Sequence, residues 1–310
     1  MTDPRFSQIL PTMQLRVNSS SLGPFKQCPR KYQYEIGTGL RSRRPNPHLI
    51  FGTLVHSGVE HYDRERLAGA TVDQALLSTV EWALRATWDG KLNRPWQSEN
   101  PSKNREGLIR TLVWYVDQYG QSENLETIIL PNGQPAIELN FEFDSGYQTA
   151  DGEAVSFIGK IDKIVKLGDK FYVKDIKTTG HEVGGRFFAE FSPDNQFSLY
   201  SLAAKIVFDF AVEGLICDGI QVGATFSRFY RAPIGRPDTI LDEWLRDSRH
   251  WLGQMESCAR EGYWPQNDKG CGLYGGCEFR SVCGARPEAR EGLLKMAFQT
   301  LPPGGGGEVA

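Results

Sequence analysis

Apolar and polar residues alternate in two runs near the middle of the chain, Phe157-Ile-Gly-Lys-Ile-Asp162-Lys-Ile-Val and Phe171-Tyr-Val-Lys-Asp175-Ile-Lys177-Thr-Thr. Between them lies Gly168-Asp169-Lys170. Two-residue alternation on both sides of a Gly-containing turn predicts a β-hairpin. Upstream, Leu125–Leu130 and Ala136–Phe143 flank Pro131-Asn132-Gly133 and predict a second hairpin. Its core face would carry Ile137, Leu139, Phe141 and Phe143, with Glu138, Asn140 and Glu142 opposite. Residues 220–230 read as one further strand. Elsewhere the period is helical. Apolar stripes predict helices over about 72–88, 104–119, 194–210 and 238–261. Asn18 or a serine after it caps a helix expected to run through Phe25 to Tyr32. A helix from Phe51 to Tyr62 would carry His56, Glu60 and Asp63 on one face. Gly37 to Pro47 reads as a connector, Gly180 to Phe191 as a mobile loop, and the Gly-rich end from residue 301 as a disordered tail.

Composition narrows the class without choosing the chemistry. Hydrophobic residues make up 40% of the 310, enough for a packed core in one elaborated domain or two small ones. No apolar run approaches the roughly 20 residues that span a bilayer, and the first residues carry no basic-then-apolar signal pattern. A soluble cytoplasmic protein with no membrane partner is therefore expected. A net charge of −3 is not the footprint of a protein that coats nucleic acid nonspecifically. Local groups remain available for phosphates: Lys26, Arg30 and Lys31; Arg41, Arg43 and Arg44; Arg228 and Arg231. Trp82, Trp88, Trp96 and Trp114 either stack on unpaired bases or pack in the core. No Gly-x-x-x-x-Gly-Lys-Ser/Thr loop occurs, so motor activity would belong to a partner.

Asp162 and Asp175 change the picture. Each sits beside isoleucines in a strand-like run, where a carboxylate needs a cation or several donors. Lys177 lies two residues beyond Asp175, so both side chains leave the same strand face. Two carboxylates and an ammonium suit a hard divalent metal and an activated water. Ordinary solvated charges on an exposed hairpin are the alternative. Six cysteines occur, at 28, 217, 258, 271, 277 and 283. The last three stand in a Gly-rich stretch that lets the backbone wrap tightly, and thiolates suit an iron–sulfur cluster or zinc. Cys217 and Cys258 read as buried small hydrophobes, and disulfides are not expected in a reducing cytosol.

The order Gly159-x-x-Asp162, Asp175-Ile-Lys177-Thr-Thr, Gln196-x-x-x-Tyr200 resembles the core of PD-(D/E)XK nucleases of the RecB type. An upstream Gly52-x-x-x-His56 and a Ser-x-Leu-x-x-Phe-x-x-Cys28-Pro-x-x-Tyr opening extend the likeness from about Val17 to Cys283. The resemblance implies an α/β, restriction-endonuclease-like fold: a central mixed sheet flanked by helices, with a helical insertion and an Fe–S staple. The expected division is 1–50 for the cluster-ligand segment and connector, 51–123 for a helical region, 124–235 for the nuclease core, 236–300 for a C-terminal helix and cysteine cluster, and 301–310 for the tail.

The same resemblance implies hydrolysis of DNA phosphodiesters by an exonuclease acting in phage or bacterial recombination or repair. Its substrate would be single-stranded or duplex ends, and a helicase or recombination protein would be its partner. If phage-encoded, it would work in the bacterial host cytoplasm. His56, Asp162, Asp175 and the Ile176 carbonyl are the implied ligands of Mg²⁺ or Mn²⁺. Lys177 would position or deprotonate water, and Gln196 and Tyr200 would orient the strand. Glu138 matches a glutamate carried on the preceding strand, with plain solvent exposure as the alternative. Cys28 would join Cys271, Cys277 and Cys283 around a 4Fe–4S cluster. The first gap of the triplet is longer than the Cys-x-x-Cys more often seen in those relatives, so a structural Zn²⁺ stays open. Two other functions stay open as well: a noncatalytic DNA-end-binding Fe–S scaffold, and a zinc-stapled nuclease acting on RNA.

Overall fold

The computed structural model describes residues 3–44, 46–120 and 124–300. The tail expected from residue 301 lies outside the described residues. Arg16–Val17 forms β1, and Asn18 then caps α1 (Ser19–Gln27). Asn18 Oδ1 accepts from Ser21 N–H at 2.9 Å while Ser21 Oγ accepts from Asn18 N–H at 3.1 Å, a reciprocal capping box. The expected single helix breaks at Cys28, which is extended at φ −166° and ψ 112°. Pro29 is the reason, because its ring disfavours the helical region in the residue before it. The chain resumes as α2 (Pro29–Tyr32), a π turn (Gln33–Gly37) and β2 (Leu40–Ser42).

Next comes α3 (Pro47–Leu67), which begins inside the expected connector because Asn46 caps it and Pro47 fits the first helical position. α4 (Val72–Ala86), the short strands β3 (Trp88–Asp89) and β4 (Arg94–Pro95), and α5 (Arg105–Tyr119) complete the helical layer. Trp82 and Trp96 pack on its core, whereas Trp88 and Trp114 are exposed.

The sheet follows: β5 (Glu126–Thr127), β6 (Ile137–Gln148), β7 (Ala154–Leu167) and β8 (Lys170–Thr179). After α6 (Gly185–Ala189) and α7 (Asn195–Phe208) it is completed by β9 (Val212–Val222) and β10 (Ser227–Gly235). The order is β1-β7-β8-β9-β10, with β5 and β6 both pairing to β7. β1–β7 and β8–β9 run parallel and the remaining pairs antiparallel, so the sheet is mixed. The chain ends in α8 (Asp238–Glu261), a 3-10 turn (Asp268–Gly275), α9 (Arg280–Gly284), α10 (Pro287–Ala297) and β11 (Phe298–Thr300).

The central hairpin forms as expected, with Gly168 at φ +59° in its turn. Three other expectations are corrected. The hairpin expected around Pro131-Asn132-Gly133 turns there, Ile129 bridging Pro135 and Leu130 N–H donating to the Gln134 carbonyl at 2.8 Å, but it stops short of β6: Glu126 and Thr127 pair instead with Lys166 and Val165, the end of β7 that β6 leaves uncovered. The strand expected at 220–230 is two strands, β9 and β10, turning at residues 223–226. Most of β9 is buried on both faces, so no alternation marks it. The expected mobile loop at 180–191 is packed, with Val183 buried and Phe191 stacked on Phe197 at 5.0 Å.

One face of the sheet packs on α1, α7 and α8 through Phe25, Phe197, Ala203, Trp244 and Leu252. The other packs on α3 and α5 through Phe51, Val55, Leu112, Ile176 and Ile220. Among the described residues no helix is long and apolar enough to cross a membrane.

Candidate active site

The β7–β8 ladder ends at Lys163 opposite Lys174, so Asp162 and Asp175 occupy the next position on each strand. Alternation along β8 sends Asp175 and Lys177 toward α7 with Val173, and Ile176 toward α3. From α3, His56 reaches across the strand end: Nδ1 lies 2.8 Å from Asp162 Oδ2 and Nε2 2.6 Å from the Ile176 carbonyl oxygen. Lys177 Nζ lies 2.8 Å from Asp175 Oδ2 and donates to Gln196 Oε1 at 2.7 Å. Gln196 Nε2 in turn donates to Tyr200 Oη at 3.0 Å. Seven of the residues singled out from sequence thus meet at one place, drawn from α3, β7, β8 and α7. The eighth, Glu138, borders the same cleft of 520 Å³, together with Glu60, Lys160, Asp162 and Lys177.

The electrostatics are uneven. Asp175 is 1% exposed, and neither of its oxygens has a well-formed hydrogen bond among the described residues, despite the nearby ammonium. Burial pushes its carboxyl above the usual range, Lys177 offsets part of that, and Asp162 adds to it. Burial acts the same way on Asp162, but His56 beside it holds that carboxyl below the usual range. For His56, burial alone would lower the pKa; the charge and hydrogen bond of Asp162 win and raise it. Burial likewise opposes the charge on Lys177, yet Asp175 and Asp162 raise its pKa above a lysine's ordinary value. Burial pushes the Tyr200 hydroxyl up to about 12.

Local structure explains why these groups meet. A Cβ at Gly159 would come 2.5 Å from Phe141 Cζ across the strand pair. Its absence lets the Phe141 ring lie over the strand and meet Tyr200 edge-on at 6.0 Å. Glu138 adopts φ +56°, a left-handed conformation that a side chain disfavours. The twist breaks the alternation of β6 and brings Glu138 into an ion pair with Lys160 on the cleft wall, so it does not point out to solvent. Burial raises its carboxyl, Lys160 lowers it, and Glu60 and Asp162 add to the rise.

Sequence reasoning missed a layer of buried charge under α3 and α5. Asp63 pairs with Lys163 at 2.9 Å, and Asp218 takes Lys174 at 3.6 Å, Arg231 at 2.5 Å and the Tyr115 hydroxyl at 2.7 Å. The signal was present. Each aspartate of the site has a lysine beside it, Lys163 and Lys174, which strand alternation must send into the opposite layer.

A family model described as the PD-(D/E)XK nuclease superfamily matches residues 16–284. The chain belongs to this superfamily. Among solved structures it is similar to a "Putative exonuclease" from Eubacterium rectale, at 12% identity and TM-score 0.48, over 83% of this chain and 86% of that one. It is also similar to SSO0001, at 18% identity and TM-score 0.30, over 58% of this chain and 69% of that one. No curated protein matches it.

PD-(D/E)XK nucleases typically use divalent ions such as Mg²⁺. The donors here suit one: Asp162 Oδ2 and both oxygens of Asp175 are buried carboxylate oxygens whose close contacts are the His56 ring and the Lys177 ammonium, and the Ile176 carbonyl lies close by. They are not yet gathered. Among the described residues no three His, Cys, Asp or Glu side chains form a ready ligand set, because Asp162 turns to His56 and Asp175 to Lys177.

The break at Cys28 sets that residue against the 267–283 segment. Asn267 N–H points at Cys28 Sγ at 3.4 Å, and the Asn267 and Gln27 amides tie the two segments together at 2.8 and 2.9 Å. Cys277 N–H donates to the Cys271 carbonyl at 3.0 Å. Burial raises the Cys277 and Cys283 thiols, and Cys28 adds to both shifts, but among the described residues the thiols do not form a ready ligand set. Four thiols are a soft donor set of the kind iron–sulfur clusters and zinc take. Cys217 is fully buried and Cys258 half-buried. Several basic candidates are engaged within the fold: Arg30 donates to the Trp264 carbonyl, Arg41 to the Glu35 carbonyl, and Arg231 pairs with Asp218.

Proposed function

We propose that the protein is a metal-dependent deoxyribonuclease that digests DNA from an end during phage or bacterial recombination or repair. The cytoplasm would be its place of work and a helicase its partner. The observation that carries the hydrolytic reading is Asp175, a buried carboxylate beside Asp162 with the Lys177 ammonium 2.8 Å from its Oδ2. The preference for ends and the setting rest on the RecB-type motif order alone.

Asp162, Asp175, the Ile176 carbonyl and His56 would hold Mg²⁺ or Mn²⁺, and a histidine among oxygen donors favours manganese. Bound there, the ion supplies an acidified water and offsets charge on the phosphoryl oxygens. To take part, His56 gives up the proton that Asp162 now stabilises. Lys177, kept protonated by its neighbours, sets a positive charge where negative charge grows on the phosphate. Gln196 fixes the direction of that ammonium, and Tyr200 fixes Gln196. Glu138 and Lys160 form the wall along which the strand would lie. Cys28, Cys271, Cys277 and Cys283 would bind a 4Fe–4S cluster, with Zn²⁺ the alternative on the same four thiols.

Anaerobically purified protein incubated with Mn²⁺ and end-labelled linear and circular DNAs tests this directly. Linear DNA should be degraded and circular DNA spared. Asp175→Ala and Lys177→Ala should fold, bind DNA and lose about 10²–10³-fold in rate, the scale for removing a group that stabilises transition-state charge. Undiminished cleavage by either variant would remove that residue from the site.

A further inference from the structure

One cation on the cleft has no counter-charge among the described residues. Lys103 stands in the loop just before α5, within the helical insertion and outside the motifs that mark the hydrolytic site. It is 4% exposed, its backbone N–H donates to Asn100 Oδ1 at 2.9 Å, and its Nζ lies 5.9 Å from the centroid of the buried Phe51 ring. No carboxylate pairs with it among the described residues, and burial alone pushes its pKa down. Its side chain nevertheless lines the 520 Å³ cleft that also holds His56, Asp162 and Lys177, on the wall formed with His48, Gly52 and Thr53.

A lysine packed this closely, its ammonium opening to the cleft with no acid beside it among the described residues, is costly to keep in a fold. The aromatic face beneath it offsets only a part of that. The chain holds Lys103 in place all the same, with its loop fixed by the Asn100 side chain, which accepts from both Ser102 and Lys103 N–H. The missing anion would come from outside. In a cleft whose other wall carries the phosphodiester-cutting groups, the matching anion is a phosphate of the same strand.

We propose that Lys103 binds a backbone phosphate of the DNA strand next to the bond that is cut, and so sets the strand's position in the cleft. This rests on the nuclease reading above and goes beyond it, since no motif reaches this loop. It also accounts for Gly52. A Cβ there would meet only Thr178 Oγ1, at 3.7 Å, so the protein itself does not demand glycine at that point of the wall. A close-lying strand would.

The test uses the full chain and a fluorescein-labelled single-stranded DNA oligonucleotide, bound in chelator over a range of salt. Losing one phosphate contact lowers the slope of log K against log salt by about 0.7. Lys103→Met should show that loss, with KM raised about tenfold and kcat within twofold, and Lys103→Arg should restore the slope. Removing an unpaired buried charge should leave the melting temperature unchanged or higher, whereas a lysine needed only for packing would lower it and leave the slope alone.

Wild-type protein provides an arm that needs no variant to fold. Replacing each phosphodiester in turn by a neutral methylphosphonate should reveal one position beside the cut whose loss weakens binding about tenfold. That penalty should vanish in Lys103→Met. Equal slopes and equal KM values in wild type and Lys103→Met, or no sensitive position in wild type, overturn the proposal. Should Asp175→Ala still cleave, the hydrolytic assignment falls while these binding measurements still judge Lys103.

Discussion

Gly159 looks like a simple turn of composition in a strand, yet its missing side chain reaches the chemistry through a chain of four contacts. The Phe141 ring occupies the space a Cβ would take and supports Tyr200, which orients Gln196 and through it Lys177. For Gly159→Ala two effects compete. A less flexible unfolded chain stabilises by about 0.4–1 kcal/mol, and overpacking against a buried ring costs about 1–3 kcal/mol. At 2.5 Å from an aromatic carbon the second should win. The variant should unfold at lower denaturant concentration, and the displaced Tyr200 should reduce kcat about tenfold, or 1.4 kcal/mol, with KM little changed. An Ala variant as stable and active as wild type would break the chain of contacts from Gly159 to Lys177.

Among the elements, α3 carries His56 to the site, through contacts with Asp162 on β7 and with the Ile176 carbonyl of β8. Its register on β7 is set by the Asp63–Lys163 pair, 13% and 7% exposed, seven residues along the helix from His56 and next to Asp162 on the strand. Breaking a buried pair by removing one partner costs roughly 3–5 kcal/mol. Asp63→Ala should therefore lower the denaturation midpoint by that order, and Asp63→Ala with Lys163→Met should recover most of it. If the double variant is no better than the single, the pair is not what anchors α3.

The central hairpin and the helices were legible because each buries one face and so writes its period into the sequence. β9 was not, since burial on both faces erases alternation, and nothing local told β5 which edge it would join. Asp162, Asp175 and Lys177 were legible as spacings along one strand pair; His56 on α3, Gln196 and Tyr200 on α7, the Ile176 carbonyl and Glu138 came from the family resemblance alone. The Lys103 contact was not, because a loop lysine looks the same in sequence whether it is solvated or walled in.

At the scale of the molecule, the C-terminal corner stands apart from the main core. Its own cluster has just Phe279, Val282 and Phe298 fully buried, with Tyr34 and Leu40 from the N-terminal segment packed against them. So small a satellite, with the short β2–β11 ladder beside it, offsets only a part of the entropy of ordering residues 268–300, at about 1–2 kcal/mol per residue. On the reading proposed above, a metal on Cys28, Cys271, Cys277 and Cys283 would offset the rest. A metal held by thiolates contributes on the order of 10–16 kcal/mol at neutral pH, as much as the whole stability of a typical domain. It would also close the long loop between Cys28 and Cys271, which a weak corner could not close alone. Cys277→Ser should therefore lose visible colour if iron is the metal, melt at a lower temperature, and be cut by protease within 262–300 before the sheet is touched. Metal analysis of the wild type separates iron from zinc. A Cys277→Ser protein that keeps its full metal content, melting temperature and protease resistance would mean that the four thiols merely lie near one another and that something else fastens this corner to the nuclease core.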